Sequence, residues 1–179
     1  LALLKRYAEV FRSVVGSVSD SGFSEIFLFA TNPVDIMARI TREISGFPKE
    51  RVIGSGTALD TARLRYLLGA YLDVDPRNIH AYVMGEHGDS EFVPWSQALL
   101  ATKPVLQICA ESDGRLSVSD LENISTEVRE AAYKIIDAKK ATYYGIGMAL
   151  TRIVRAILGG ENSVLTVSAC FNGEYGQKD

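Results

Sequence analysis

This chain has few of the residues that mark several functional classes. It has two cysteines, Cys109 and Cys170, and two histidines, His80 and His87, among 179 residues. There is no CxxC pair and no Cys/His cluster. That pattern argues against a zinc site or a disulfide framework and fits a reducing, cytoplasmic compartment. No apolar run reaches membrane-spanning length, and the start, "LALLKRYAEV", has neither Met nor a signal-peptide layout. A formal net charge of −3 advertises neither nucleic acid nor an anionic membrane as partner. Repeats, low-complexity tracts and linkers are also lacking.

What is present is ordinary for a globular protein, with 47% hydrophobic and 23% charged residues, a balance that argues against disorder. The length suits one sizeable core or part of a larger two-domain protein. Leu1, Leu4, Phe11, Val14, Val15 and Val18 recur at helical spacing. "SGFSEIFLFATNP" reads as a buried parallel strand running into an Asn-Pro turn. Val34, Met37, Ile40 and Ile44 predict a helix stopped by Gly46 and Pro48. "RVIGSGT" is a short strand and glycine turn, and a helix is expected from about Thr57 to Tyr71. Residues 78–84 alternate like a strand, 120–158 read as one long helix kinked near Lys140 or at Gly145 and Gly147, and "NSVLTVSACF" reads as a strand. "NGEYG" offers a hairpin turn with no second strand after it. This alternation implies a mixed α/β protein. Both ends read as cut.

The stretch "GEHGDSE", residues 85–91, sets His87 between acids with Gly85 and Gly88 beside it. An imidazole titrates near physiological pH, and glycines permit close approach of another molecule. A solvated turn is the plainer account of that loop taken alone. In "SGTALDTARLRYLLG", Asp60 and Arg63 stand three apart on one helical face. That pair could be an ordinary intrahelical ion pair. The helix, however, leads by a strand straight back to His87. A buried carboxylate beside an imidazole fixes its tautomer and stabilises the imidazolium, and a guanidinium fork grips a substrate carboxylate bidentately. Together they would form a site for proton transfer on a small carboxylic acid.

"ATNPVD", "GSGTALDTARLRYLLG", "HAYVMGEHGDSE" and "KKATYYGIGMAL" resemble the lactate/malate dehydrogenase family, most closely its bacterial lactate-acting branch. The likeness runs in order over essentially the whole chain. It implies the end of a Rossmann-type dinucleotide-binding domain, residues 1–33, followed by most of an α+β catalytic domain, residues 34–179, truncated at its C-terminus. It further implies NAD as cofactor, a small 2-keto or 2-hydroxy acid as substrate, and interconversion of pyruvate and L-lactate by hydride transfer. His87 would be the acid/base, Asp60 its orienting partner and Arg63 the substrate-carboxylate ligand. Asn32 would touch substrate and the nicotinamide ribose, with Ala30 and Thr31 lining that edge of the cofactor. Ser55 would approach the carboxamide, Ile146 would pack on the nicotinamide ring, Thr142 would line the substrate pocket and Ser13 would face the cofactor. The Asn32–Pro33 peptide is a candidate for the cis form. Each also has a plainer role: Asn32 as a turn cap, Ser55 as a turn residue, Thr142 and Ile146 as helix packing.

Arg65 and His80 occupy positions that bind fructose 1,6-bisphosphate across a subunit interface in bacterial members. This implies an allosteric homotetramer, against the plainer view of a surface Arg and an edge-strand His. The family's glycine-rich fingerprint and its mobile-loop arginine are not in this sequence. The chain is therefore expected to hold about half of an enzyme and to be inactive alone. Malate dehydrogenase is the nearest rival. Glu86 and Glu91 beside His87 disfavour a second substrate carboxylate, and Lys139 and Lys140 are expected to face solvent rather than receive one. Two other readings stay open: a metal-dependent hydrolase using Asp60, His80, His87 and Asp89, and a non-catalytic assembly or effector-binding piece. The spacing does not match common zinc patterns, so no metal is expected.

Overall fold

The structure is a computed structural model that describes residues 2–176. Leu1 lies outside the described residues, as do positions 177–179 beyond the "NGEYG" turn. The chain divides into two compact units: the chain up to Gly56 together with the segment from Val167 onward, and Thr57–Thr166.

In the first unit, α1 (Ala2–Asp20) is followed by β1 (Phe27–Phe29), α2 (Val34–Ser45) and β2 (Val52–Gly54). The strands run parallel, with Phe27 beside Val52 and Phe29 beside Gly54. Phe11 on α1 meets Phe29 edge-on at 6.0 Å, and Phe27 packs against Phe23 and Phe47, both with ring centroids 5.0 Å away. α2 presents Val34, Met37 and Thr41 inward and ends on Gly46, whose left-handed φ of 65° lets its N–H cap the Arg42 carbonyl. Gly54 has no room for a side chain: a Cβ there would lie 2.9 Å from both Ser168 Cβ and Val34 Cγ2. The stretch expected to form a strand after Asn162 makes only an isolated antiparallel bridge, Ser168 with Gly54. The domain boundary expected after Pro33 differs from the observed division after Gly56, because α2 packs on α1 and β2 hydrogen-bonds alongside β1.

In the second unit, α3 (Ala58–Leu72) leads to β3 (Ile79–His80), β4 (Leu99–Leu100) and β5 (Lys103–Pro104), which form a small antiparallel sheet. There follow α4 (Val105–Glu111), α5 (Val118–Lys139) and α6 (Tyr144–Leu158). Leu64 and Leu68 of α3 meet Leu121, Ile124 and Val128 of α5 around Ile79, Ala81, Val83 and Val105. The four-residue spacing on α3 and the three- and four-residue spacing on α5 put each set on one face. α5 starts in a capping box: Ser117 Oγ accepts from the Asp120 amide, and the Asp120 carboxylate accepts from the Ser117 amide. The stretch read as one kinked helix is two helices. Lys140 takes a left-handed φ of 62°, which ends α5 outright. The strand expected over 78–84 shrinks to two residues, because beyond His80 its backbone bonds to α3 side chains instead of a neighbouring strand.

Leu68 is fully buried in this core. Leu68→Ala is expected to lower unfolding free energy by about 2–5 kcal/mol, through lost transfer energy and the cavity left behind, read as a fall in denaturant midpoint at unchanged slope. A loss below about 1 kcal/mol would show that the site collapses onto its neighbours.

Candidate active site

α3 supplies the first half of the site and the loop after β3 the second. Thr57, at the N-cap of α3, donates from Oγ1 to the Val83 carbonyl at 2.7 Å. One turn on, Thr61 Oγ1 accepts from the Val83 amide at 3.0 Å and lies 2.8 Å from the Thr166 hydroxyl. These two buried threonines set the register between helix and loop. The loop closes on itself: Met84 N–H bonds the Phe92 carbonyl at 2.9 Å, and Phe92 N–H returns to Met84 O at 3.0 Å. Gly85 opens it at φ 89°, a left-handed conformation that favours glycine. Inside the loop, Glu91 N–H bonds Gly88 O, Ser90 Oγ donates to Glu86 at 2.9 Å, and Tyr133 of α5 donates to Asp89 at 3.1 Å. The glycine-flanked histidine therefore sits in a tied loop.

At the centre is Asp60, in the first turn of α3 and 2% exposed. Its Oδ2 lies 2.6 Å from His87 Nδ1, and its Oδ1 accepts from Arg63 Nη1 at 3.0 Å. An ionised carboxylate only accepts, so Nδ1 carries the hydrogen and the ring's other nitrogen, Nε2, points away from Asp60. The His87 and Arg63 side chains keep 24% and 18% of their surface open, enough for a small ligand to reach both. The helix N-terminus adds favourable potential for the buried carboxylate.

Glu91 joins this group. It is buried, and one of its oxygens lies within 4.8 Å of ligating atoms of both Asp60 and His87. Burial, and then the charge of Asp60, push its carboxyl up to about 7, against smaller opposing effects of His87, Arg129 and Arg63. As a residue the sequence showed only as one of two acids flanking His87, Glu91 had no visible partner there. It directly follows the turn over 85–90 and precedes Phe92, whose pairing with Met84 brings its side chain inward. Thr57 and Thr61 were missed for a similar reason: their spacing of four around Asp60 resembles any helix. The four residues weighed as metal ligands are not assembled. Among the described residues the convergent His/Cys/Asp/Glu group is Asp60, His87 and Glu91, whereas Asp89 accepts from Tyr133 and His80 is exposed on β3.

The remaining positions fall as follows. Arg65 Nε donates to the carbonyl of Ala81, next to His80, at 3.0 Å, and its guanidinium lies 4.8 Å over the Tyr82 ring. Thr142 is exposed between α5 and α6, and Ile146 is half-buried in the first turn of α6. Lys139 and Lys140 are exposed. In the first unit, Ala30, Thr31 and Asn32 follow the carboxyl end of β1, the last two exposed, and the Asn32–Pro33 peptide is cis. Buried Ser55 follows β2 and donates its amide to Phe29 O at 2.8 Å, so the two strand ends lie side by side. Ser13 is exposed on α1.

Residues 57–179 match the alpha/beta C-terminal domain of the lactate/malate dehydrogenases, and residues 1–54 match their NAD binding domain. The chain belongs to the lactate/malate dehydrogenase family. Among particular relatives, it is 55% identical over 179 residues to L-lactate dehydrogenase 2 and 56% identical to L-lactate dehydrogenase 1 of Bacillus cereus. It spans 57% of the length of each. It superposes with a TM-score of 0.95 and 53% identity on a lactate dehydrogenase from a Medee basin deep-sea metagenome library, covering 99% of this chain and 56% of the other. For the minor L-lactate dehydrogenase of Enterococcus mundtii in its ligand-bound form the TM-score is 0.91 at 52% identity, covering 96% and 55% of the two chains.

Glu91 makes stability depend on pH with a sign opposite to that of a salt-bridged acid. Its folded value, about 7, lies above the ordinary 4.5, so between these the native chain holds a proton that the unfolded chain has released. This contribution falls as pH rises through that window and is constant above it. Glu91→Gln removes it. The variant's stability relative to the unsubstituted protein is expected to grow by on the order of 2 kcal/mol between about pH 4.5 and about pH 7.5 in denaturant titrations. A difference independent of pH would contradict the burial of this carboxyl.

Proposed function

We propose that the protein to which this chain belongs is an NAD-dependent L-lactate dehydrogenase that interconverts pyruvate and L-lactate. The observation that carries the proposal is the buried Asp60 carboxylate bonded at once to His87 Nδ1 and Arg63 Nη1. The Arg63 guanidinium holds the substrate carboxylate. His87 gives a proton from Nε2 to the keto oxygen in reduction and takes it back in oxidation, while Asp60 keeps the ring in one tautomer and stabilises its charged form.

The donor set at the carboxyl ends of β1 and β2 fits a nicotinamide nucleoside. Thr31, Asn32 and Ser55 offer hydroxyl and amide groups, and Ala30 offers a flat apolar edge, where ligands of parallel sheets gather. NAD supplies the hydride donor or acceptor when bound. Asn32 would serve its ribose and the substrate, Ser55 its carboxamide, Ile146 its ring and Ser13 its outer edge, while Thr142 would serve the substrate side chain. Lactate is favoured over malate by Glu91, a carboxyl against the proton-transfer pair, and by Lys139 and Lys140, which face solvent rather than the Thr142 position.

The proposal extends to regulation in a cytoplasmic homotetramer. Arg65 is held with one nitrogen on Ala81 O and its guanidinium over Tyr82, and His80 lies exposed on the preceding strand residue. One such Arg and one such His from each of two subunits would suit the phosphates of fructose 1,6-bisphosphate. Velocity sedimentation of the full-length protein should then show a larger species when the sugar bisphosphate is added, and Arg65→Gln should abolish the change. Identical sedimentation and rate with and without it would remove this part of the reading.

In the full-length protein, His87→Gln is expected to lower kcat for pyruvate reduction by about 10²–10⁴-fold, measured by NADH absorbance. Near-native turnover by that variant, or faster reduction of oxaloacetate than pyruvate by the unsubstituted protein, would overturn the proposal.

A further inference from the structure

The proton-transfer chemistry proposed above uses Asp60, Arg63 and His87 and leaves one buried ionisable group beside them without a part. Glu91 approaches Asp60 and His87 within 4.8 Å. Helix α5 faces it with Arg129, whose Nε is buried without a hydrogen-bond partner. The groups around Glu91 are therefore Asp60 and Arg63 from α3, His87 from its own loop and Arg129 from α5. Two carboxyl groups so placed repel when both are ionised, and each stabilises positive charge on the nearby imidazole. The loop cannot easily swing Glu91 out to water. Its amide is bonded to Gly88 O, the next residue is locked to Met84, and Asp89 is tied to Tyr133 one turn along α5 from Arg129.

We propose that Glu91 is a positioning residue: its carboxylate is a second negative charge beside the Asp60–His87 pair and keeps the imidazole protonated further into the alkaline range than Asp60 alone would. Reduction of a keto acid needs the protonated ring, so Glu91 extends that direction upward in pH. It touches neither substrate nor cofactor and acts through His87. The partly matched cation Arg129 limits the repulsion between the two carboxylates and allows both to remain buried. Because the group ionises together with its neighbours, the observable is a shift of the whole cluster's titration rather than of one residue's.

The catalytic half of this inference rests on the proposed function, so the test has an arm that needs no turnover. In the full-length protein, the rate at which diethyl pyrocarbonate modifies His87 is followed against pH by peptide mass spectrometry, with His80 as internal reference. Glu91→Gln is expected to move the midpoint for His87 down by about 0.5–1 pH unit and leave that for His80 in place. Glu91→Asp should restore most of the difference. Should Glu91→Gln not fold, Glu91→Met, an apolar chain of similar length, takes its place. In the second arm, the alkaline limb of kcat/KM for pyruvate should move down by the same interval, a loss of about 3–10-fold near pH 8.5 with little change near pH 6. An unmoved His87 midpoint, or an unmoved alkaline limb in an enzyme that turns over, overturns the inference. Absence of pyruvate reduction by the unsubstituted protein overturns the proposed function instead, and the modification arm still decides the role of Glu91.

Discussion

One buried carboxylate organises the second unit. Asp60 has almost no access to water, and an isolated charge so placed would be costly; its two oxygens are satisfied instead by His87 and Arg63. Each partner is thereby oriented, because the imidazole must present Nδ1 and the guanidinium must present Nη1. The geometry holds only while α3 keeps its register against residues 81–84. That register is set by Thr57 and Thr61, which bond both polar backbone groups of Val83, and by the apolar contacts of Leu64 and Leu68 just beyond. Packing and chemistry thus share one helix, its first turn carrying the charge and its middle the core.

Around this centre the charges alternate. Asp60 and Glu91 are opposed by Arg63 and Arg129, with His87 beside both carboxyls. The electrostatics of the loop are consequently linked to α5 as well as α3, through Arg129 and the Tyr133–Asp89 bond. The first unit contributes a different kind of order. Two short parallel strands end side by side, Gly54 admits the Ser168 backbone where no side chain fits, and polar residues gather beyond the strand ends.

Much of this was legible beforehand. His87, Asp60 and Arg63 were singled out from spacing and resemblance and meet in space. α2 starts at Val34 and stops at Gly46 as the apolar spacing and that glycine indicated, and α3 runs within a residue of the expected span. Three elements were misjudged for one reason: periodicity does not count hydrogen-bond partners. Residues 78–84 alternate like a strand, yet Val83 bonds to threonine side chains. "NSVLTVSACF" has strand composition but finds only Gly54 as a bridging partner. The helical pattern of 120–158 continues across Lys140, where the backbone turns left-handed and ends α5.

The amino-acid order alone determined which groups are available and how far apart they lie along an element: an acid and a guanidinium on one helical face, an imidazole in a glycine-flanked loop, two strands with glycine at the second's end. Chemical identity and local spacing are properties of the chain. Which of its many acids would lose contact with water was decided only by the tertiary structure. Loop closure between Met84 and Phe92 turns Glu91 inward toward Asp60 while leaving Glu86 outside. Desolvation depends on what packs over a residue, and that cover comes from helices distant in the chain.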